Sequence, residues 1–155
     1  LGERVFNLLV RGSLTYLIGM LYFGARIPLP HELALFLLAA LLAILISWAI
    51  NFLVNVTAFW LIDISGLMLI ANLVMGFFSG FLLPLAFFPP ALGALAAILP
   101  FQAIASVPAR TILGQLQGAE LAAAIALQLG WAVALTGVAL LVLRLVMRKI
   151  IIQGG

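Results

Sequence analysis

Residues 33–62 form a run of thirty positions without one charged side chain. As a helix rising about 1.5 Å per residue, such a run would be roughly 45 Å long. That exceeds the ~30 Å hydrocarbon core of a bilayer, so the helix must tilt or project beyond it. The rest of the chain is of the same kind. Hydrophobic residues make up 67% of the 155 and charged residues 7%, and the mean hydropathy is +1.39. A soluble domain of this size has no interior large enough for that much apolar surface, and disordered chains are poor in apolar residues. The bilayer is the solvent that remains. Cysteine is absent, which removes disulfides and thiolate chemistry.

Four stretches are long and apolar enough to span: residues 5–25, 33–62, 66–83 and 121–143. The first carries Arg11 near its start, where a long side chain can reach the headgroups. Pro28 and Pro30 break the chain after it, and the Asp63 turn follows the second stretch. Asp63 or Ser65 is expected to cap the third. Residues 84–120 are apolar too, but Pro84, Pro89, Pro90, Pro100 and Pro108 interrupt them. Two short helices are expected there, about 90–99 and 101–111, turning near Pro100. Helices that short cannot span, so the segment is either re-entrant or an apolar loop on the surface; the lengths favour the first. The fold class is therefore an all-α integral membrane protein of four transmembrane helices with a re-entrant helical hairpin before the last.

Basic residues set orientation. Arg4, Arg11, Arg144, Arg148 and Lys149 fall on one side of this topology, Arg26 and Arg110 on the other. Five against two puts both ends of the sequence in the cytoplasm and the 84–120 segment outside.

Polar residues within the spans carry the remaining signal. Ser47, Asn51 and Asn55 recur every four residues and share one helix face. They serve either as interhelical hydrogen-bond partners or as the lining of a polar path. Asn72, Gly76, Ser79 and Gly80 lie on adjoining turns, with Gly76 and Gly80 in a GxxxG spacing that favours helix packing or dimerisation. Gln128 is a lone amide, read as helix glue. Trp48, Trp60 and Trp131 suit interfacial anchors, although Trp48 and Trp131 sit deep in their spans. No phosphate-binding GxxxxGK[ST] loop and no HExxH motif occurs, and His31 has no second His at ligand spacing. No catalytic residue, cofactor or metal site is expected, and no row of ionisable groups crosses the membrane as a proton pump would need.

Several motifs stand out in order along the chain. These are Phe59-Trp60-Leu61-Ile62-Asp63-Ile64-Ser65-Gly66, then Ser79-Gly80-Phe81-Leu82-Leu83-Pro84-Leu85-Ala86-Phe87-Phe88-Pro89. Leu99-Pro100-Phe101-Gln102 follows, with Pro108 and Ile112-Leu113-Gly114, then Gln128 with Trp131, and Ile152-Gln153-Gly154-Gly155. Together these motifs resemble those of bacterial ABC-2-type permeases, and the resemblance implies a six-helix permease of the bacterial cytoplasmic membrane, of which this sequence is the C-terminal part. Residues 1–11 would end its cytoplasmic coupling region. It further implies two permease subunits, identical or related, working with separate ABC ATPase subunits. The cargo would be a lipophilic or cationic compound moved outward; nucleic acid is not an expected partner. The competing reading is a non-transporting membrane scaffold or assembly subunit. An intramembrane enzyme acting on lipid would need a nucleophile or metal set that the sequence lacks.

The basic asymmetry predicts that a cysteine at Gly93, in the 84–120 segment, is labelled by a membrane-impermeant thiol reagent added from outside. Labelling from the cytoplasmic side alone would invert the topology.

Overall fold

The computed structural model describes Ile18, residues 29–57 and residues 63–153, the last six by backbone alone. The expected helix 5–25 and its Arg11 lie outside the described residues apart from Ile18, as do the 1–11 segment, Pro28 and Trp60. Five α-helices are described: α1 (Pro30–Val56), α2 (Ser65–Phe78), α3 (Pro90–Ile98), α4 (Ser106–Ile112) and α5 (Gly118–Gln153). Two 3-10 turns, Leu85–Phe87 and Pro100–Ala103, punctuate the stretch between α2 and α4.

Helix starts follow local chemistry. Pro30 opens α1, where its missing N–H is an orphan in any case. The Glu32 carboxylate accepts the Leu29 N–H at 2.9 Å, one half of a capping box. At α2 the Asp63 carboxylate accepts the Ser65 N–H at 2.8 Å, as the capping expectation required. That bond, with a second from the Ser65 hydroxyl, holds the Asp63 carboxyl below its ordinary range. The contact is therefore intact at neutral pH and is lost as pH falls through that lowered value.

Two of the described helices, α1 and α5, are long and apolar enough to cross a membrane. They run parallel and form the body of the structure. Ala39 meets Gln128, Leu42 and Ile46 share a cluster with Ala132, and Ile50 and Leu135 pack against it further along. Their starts meet where His31 and Glu32 share a cavity wall with Leu121. The buried stripe of α1 is Ala39, Leu42, Ala43, Ile46 and Ala49, a 3.6-residue period. On α5, Ala132, Ala139 and Val146 are buried at seven-residue steps. Small residues at the contact let the backbones approach. Large apolar residues point outward instead: Leu41 and Ile44 are each 66% exposed and Leu141 61%. Buried interior positions hold Gln128, Thr111 and Ser79. An exterior of leucine and isoleucine around a seam of alanine and polar groups suits lipid and not water.

The third expected span is shorter than the sequence suggested. α2 has 14 residues, about 21 Å of helix, and stops at Phe78 instead of continuing to residue 83. The cause is local. Gly80 adopts φ +82°, the left-handed region open to glycine. The Ser79 hydroxyl turns back on the Gly76 carbonyl and accepts the Phe81 N–H. Leu82 then donates its N–H to the Gly76 carbonyl at 3.1 Å. An uncharged sequence carries no mark of this stop except the glycine itself.

The proline-rich segment is broken, and more finely than expected. The single helix foreseen over 101–111 is a 3-10 turn, Pro100–Ala103, followed by α4. Pro108 explains the split: it has no N–H for the residue 104 carbonyl, so it sits in the first turn of a new helix. Pro84 and Pro89 precede the Leu85–Phe87 turn and α3, and Pro90 and Pro100 are the first residues of α3 and of the second turn. α4 ends in a Schellman motif: Gly114 at φ +65° donates to Thr111, and Gln115 donates to Arg110. Arg110 then pairs with Glu120 at 2.8 Å, so the segment returns to the level at which α5 begins. Both side chains are substantially exposed, and the pair contributes little to stability.

Gly80→Val should lower resistance to unfolding in detergent by about 1–2 kcal/mol, because a side chain there strains the left-handed backbone. Gly80→Asn, which tolerates that region, should lose distinctly less. Equal losses would place the requirement elsewhere than in φ.

Candidate functional site

A cleft of about 370 Å³ opens where α1, α2 and the chain before α4 meet. α1 contributes Ser47 and Asn51; α2 contributes Asn72, Met75 and Gly76. Ser79 and Phe81, just past the end of α2, and Ile104 and Ala105 complete it. Ser47 lies about 22 Å along α1 from Glu32, so the cleft sits deep between the charged ends.

Each polar group has a definite state. Asn51 donates its Nδ2 to the Ser47 carbonyl at 2.8 Å, four residues back on the same helix. Its Oδ1 has no partner among the described residues. Asn72 is exposed and has none there either. Ser79 is buried, with its hydroxyl held by Gly76 and Phe81. Among the described residues the cleft therefore offers an amide oxygen and one complete free amide, with no ionisable group in its lining.

Two sets of residues that the sequence suggested for separate roles converge here. Ser47 and Asn51, read as path lining or glue, face Asn72, Gly76 and Ser79, read as helix packing. The convergence omits Asn55, which is exposed and bonds back to the Asn51 carbonyl, and Gly80. Among the described residues, the side-chain amides of Asn51 and Asn55 both donate within α1. The GxxxG reading requires correction. Gly80 lies beyond α2 in a left-handed turn, so Gly76 and Gly80 do not share a helix face. At Gly76 a Cβ would come within 3.0 Å of the Leu82 side chain, so that glycine admits the returning chain of its own subunit. Met75, Phe81, Ile104 and Ala105 are lining residues that no periodicity singles out.

Gln128 fixes two of the cleft's walls, α1 and the turn that precedes Ile104. It is fully buried, and its Nε2 donates to the Ala39 carbonyl of α1 and the Ala103 carbonyl of the second 3-10 turn, both at 2.8 Å. Trp131, one turn on, donates its indole N–H to the Ile98 carbonyl at 3.1 Å. Together they tie the broken segment to α5. The half-buried Trp131 thus binds a carbonyl at the end of α3. No grouping of side chains able to hold a metal occurs among the described residues.

A family profile described as ABC-2 family transporter protein matches residues 3–154. The chain belongs to the ABC-2 transporter family. No curated protein and no solved structure matches it. As an ABC-2 family member the chain is a membrane protein with a permease role, and the family implies an ABC ATPase partner. The inverted distribution of large apolar and polar residues around α1 and α5 agrees with that membership.

Gln128→Leu should cost about 1 kcal/mol, two membrane hydrogen bonds at ~0.6 each. Gln128→Glu should cost more, since a buried carboxylate would face two carbonyls and neutralise only by taking up a proton. Thermal unfolding in detergent micelles checks the order. A harmless Gln128→Glu would mean that the amide is not the tie described.

Proposed function

We propose that this chain is the membrane-spanning subunit of an ATP-driven exporter. It moves a lipophilic or cationic compound outward across the bacterial cytoplasmic membrane and is not itself an enzyme, ATP hydrolysis belonging to the partner subunit. The observation that carries this reading is the polar cleft deep in an otherwise apolar bundle. A scaffold has no need of an unpartnered amide at that depth, where polar groups are costly. Asn72 has no hydrogen-bond partner among the described residues, and it lines the same cleft as Asn51.

The broken segment supports the same reading. Ala103 is level with Gln128, about 12 Å along α5 from Glu120, while Arg110 returns to Glu120 itself. A path inward and back from one end is what a re-entrant hairpin describes. The charge-free stretch of α5 between Glu120 and Arg144 is about 34 Å long, close to a hydrocarbon core. The basic residues Arg144, Arg148 and Lys149 then favour the cytoplasm and Arg110 the outside. A second permease subunit, identical or related, would complete the path.

With the ATPase partner reconstituted, Asn51→Leu and Asn72→Leu should each lower the vanadate-sensitive ATPase activity stimulated by transported compound by about tenfold. Thermal stability should shift little, since such polar contacts average only ~0.6 kcal/mol in membranes. Variants that unfold while the surviving fraction stays fully active would make the amides structural. A complex without compound-stimulated hydrolysis would favour the scaffold.

A further inference from the structure

The polar cleft between α1, α2 and the chain before α4 mixes hydrogen-bond donors with acceptors and carries no charge in its described lining. Asn72 is exposed, with both halves of its amide free among the described residues. Asn51 commits one N–H to the Ser47 carbonyl at 2.8 Å and keeps its oxygen and its other N–H. That oxygen is accessible. Asn51 is half-buried, and the enclosed side-chain atoms without a partner among the described residues are Gln128 Oε1 and Thr136 Oγ1, not Asn51 Oδ1. Ser79 has nothing to spare, since its hydroxyl is held by Gly76 and Phe81.

This lining favours a neutral occupant. A cation or an anion would find no opposite charge here, and a charge left unpaired away from water is costly. It also asks for donors and acceptors together. An amide presents an N–H and a C=O side by side, and the edge that satisfies both at once is another amide edge. A primary carboxamide supplies that edge to Asn72 and has a second N–H for Asn51 Oδ1. An ester brings acceptors alone, and an ammonium brings donors alone. Met75, Phe81 and Ile104 supply apolar wall. The volume of about 370 Å³ lies at the small end of the range for ligand pockets, roughly 300–1,000 Å³, and suits a body of one or two rings.

We propose that this cleft binds an uncharged lipophile bearing a primary carboxamide. The carboxamide pairs edge to edge with Asn72 and donates its remaining N–H to Asn51 Oδ1, and the apolar body lies against Met75 and Phe81. Of the two cargo classes named above, the lipophilic one belongs at this site and the cationic one does not. As a statement about cargo this rests on the transport reading; as a statement about what the cleft binds it does not.

The test is equilibrium binding to the intact permease with its ATPase subunit in nanodiscs of zwitterionic lipid, without ATP, corrected for empty nanodiscs. The probes are 3-phenylpropanamide, methyl 3-phenylpropanoate and 3-phenylpropylammonium. The carboxamide should bind saturably, and the ester and the ammonium at least about tenfold more weakly, as expected when hydrogen bonds are lost or a charge is left unpaired. Asn72→Leu should weaken the carboxamide by about tenfold and Asn51→Leu by about three- to tenfold, for two bonds and one. Asn72 makes no bond within the described structure, so its variant is expected to fold, and the probe series on the unaltered permease decides the matter even if neither variant does. Equal affinity for the ammonium or the ester would overturn the proposal, as would unchanged affinity in both variants or no saturation into the millimolar range. Hydrolysis stimulated by other compounds, with no carboxamide bound, would overturn it and leave the transport reading standing. Selective carboxamide binding without any compound-stimulated hydrolysis would support the site and remove the transport reading.

Discussion

The double hydrogen bond from Gln128 is the contact on which the arrangement depends. A polar side chain fully removed from solvent and from lipid is costly unless its hydrogen bonds are made. Here one Nε2 reaches two carbonyls, one on α1 and one in a 3-10 turn. A single amide thereby fixes the relative height of α1, α5 and the broken segment. Around it Ile46, Leu42, Ala103 and Ala132 close the apolar cluster. The cleft at Asn51 begins at Ile104, directly after the turn that this amide holds.

Membrane character, the long apolar helices and the proline-broken segment were legible because each leaves a coarse trace in composition. An uncharged run, a basic cluster and a set of prolines survive any local rearrangement. The end of α2 was not legible. Residues 79–83 are as apolar as those before them, and the stop resides in one glycine's φ and one serine's rotamer. The Gly76 and Gly80 spacing was legible but misleading, since a four-residue step signifies a shared face only while the helix continues. The amide stripe was visible as a pattern, yet its hydrogen bonds run along α1 and leave Asn51 Oδ1 over. Which of the polar residues face one another depended on where α2 stopped, and that is why Asn55 and Gly80 fell outside the cleft while Phe81 and Ile104 fell inside.

Backbone satisfaction explains why a segment so broken is tolerated in an apolar protein. Each interruption exposes carbonyls or amides that lipid cannot serve. The described structure answers several of them with side chains. Trp131 serves Ile98, Gln102 serves Ala97, Gln128 serves Ala103, and the Thr111 hydroxyl serves Val107. Gln128 and Trp131 come from α5 itself, so the long helix acts as the donor rail along which the irregular chain is hung.

The opposite side of that chain is held quite differently. Between α2 and the broken segment the prominent contacts are rings: Phe77 stacks on Phe88 with centroids 4.8 Å apart, Phe78 meets Phe88 edge-on at 6.2 Å, and Phe101 lies 6.1 Å from Phe78. Directional hydrogen bonds resist sliding, whereas ring contacts have shallow energy minima and can exchange one packing for another. Resistance to shear is therefore unequal across the molecule. α1, α5 and the segment between residues 98 and 103 behave as a bolted block, and α2 rests against it on a greased bearing. The polar cleft lies along the seam between the two, so its width is set by a joint that no hydrogen bond among the described residues crosses.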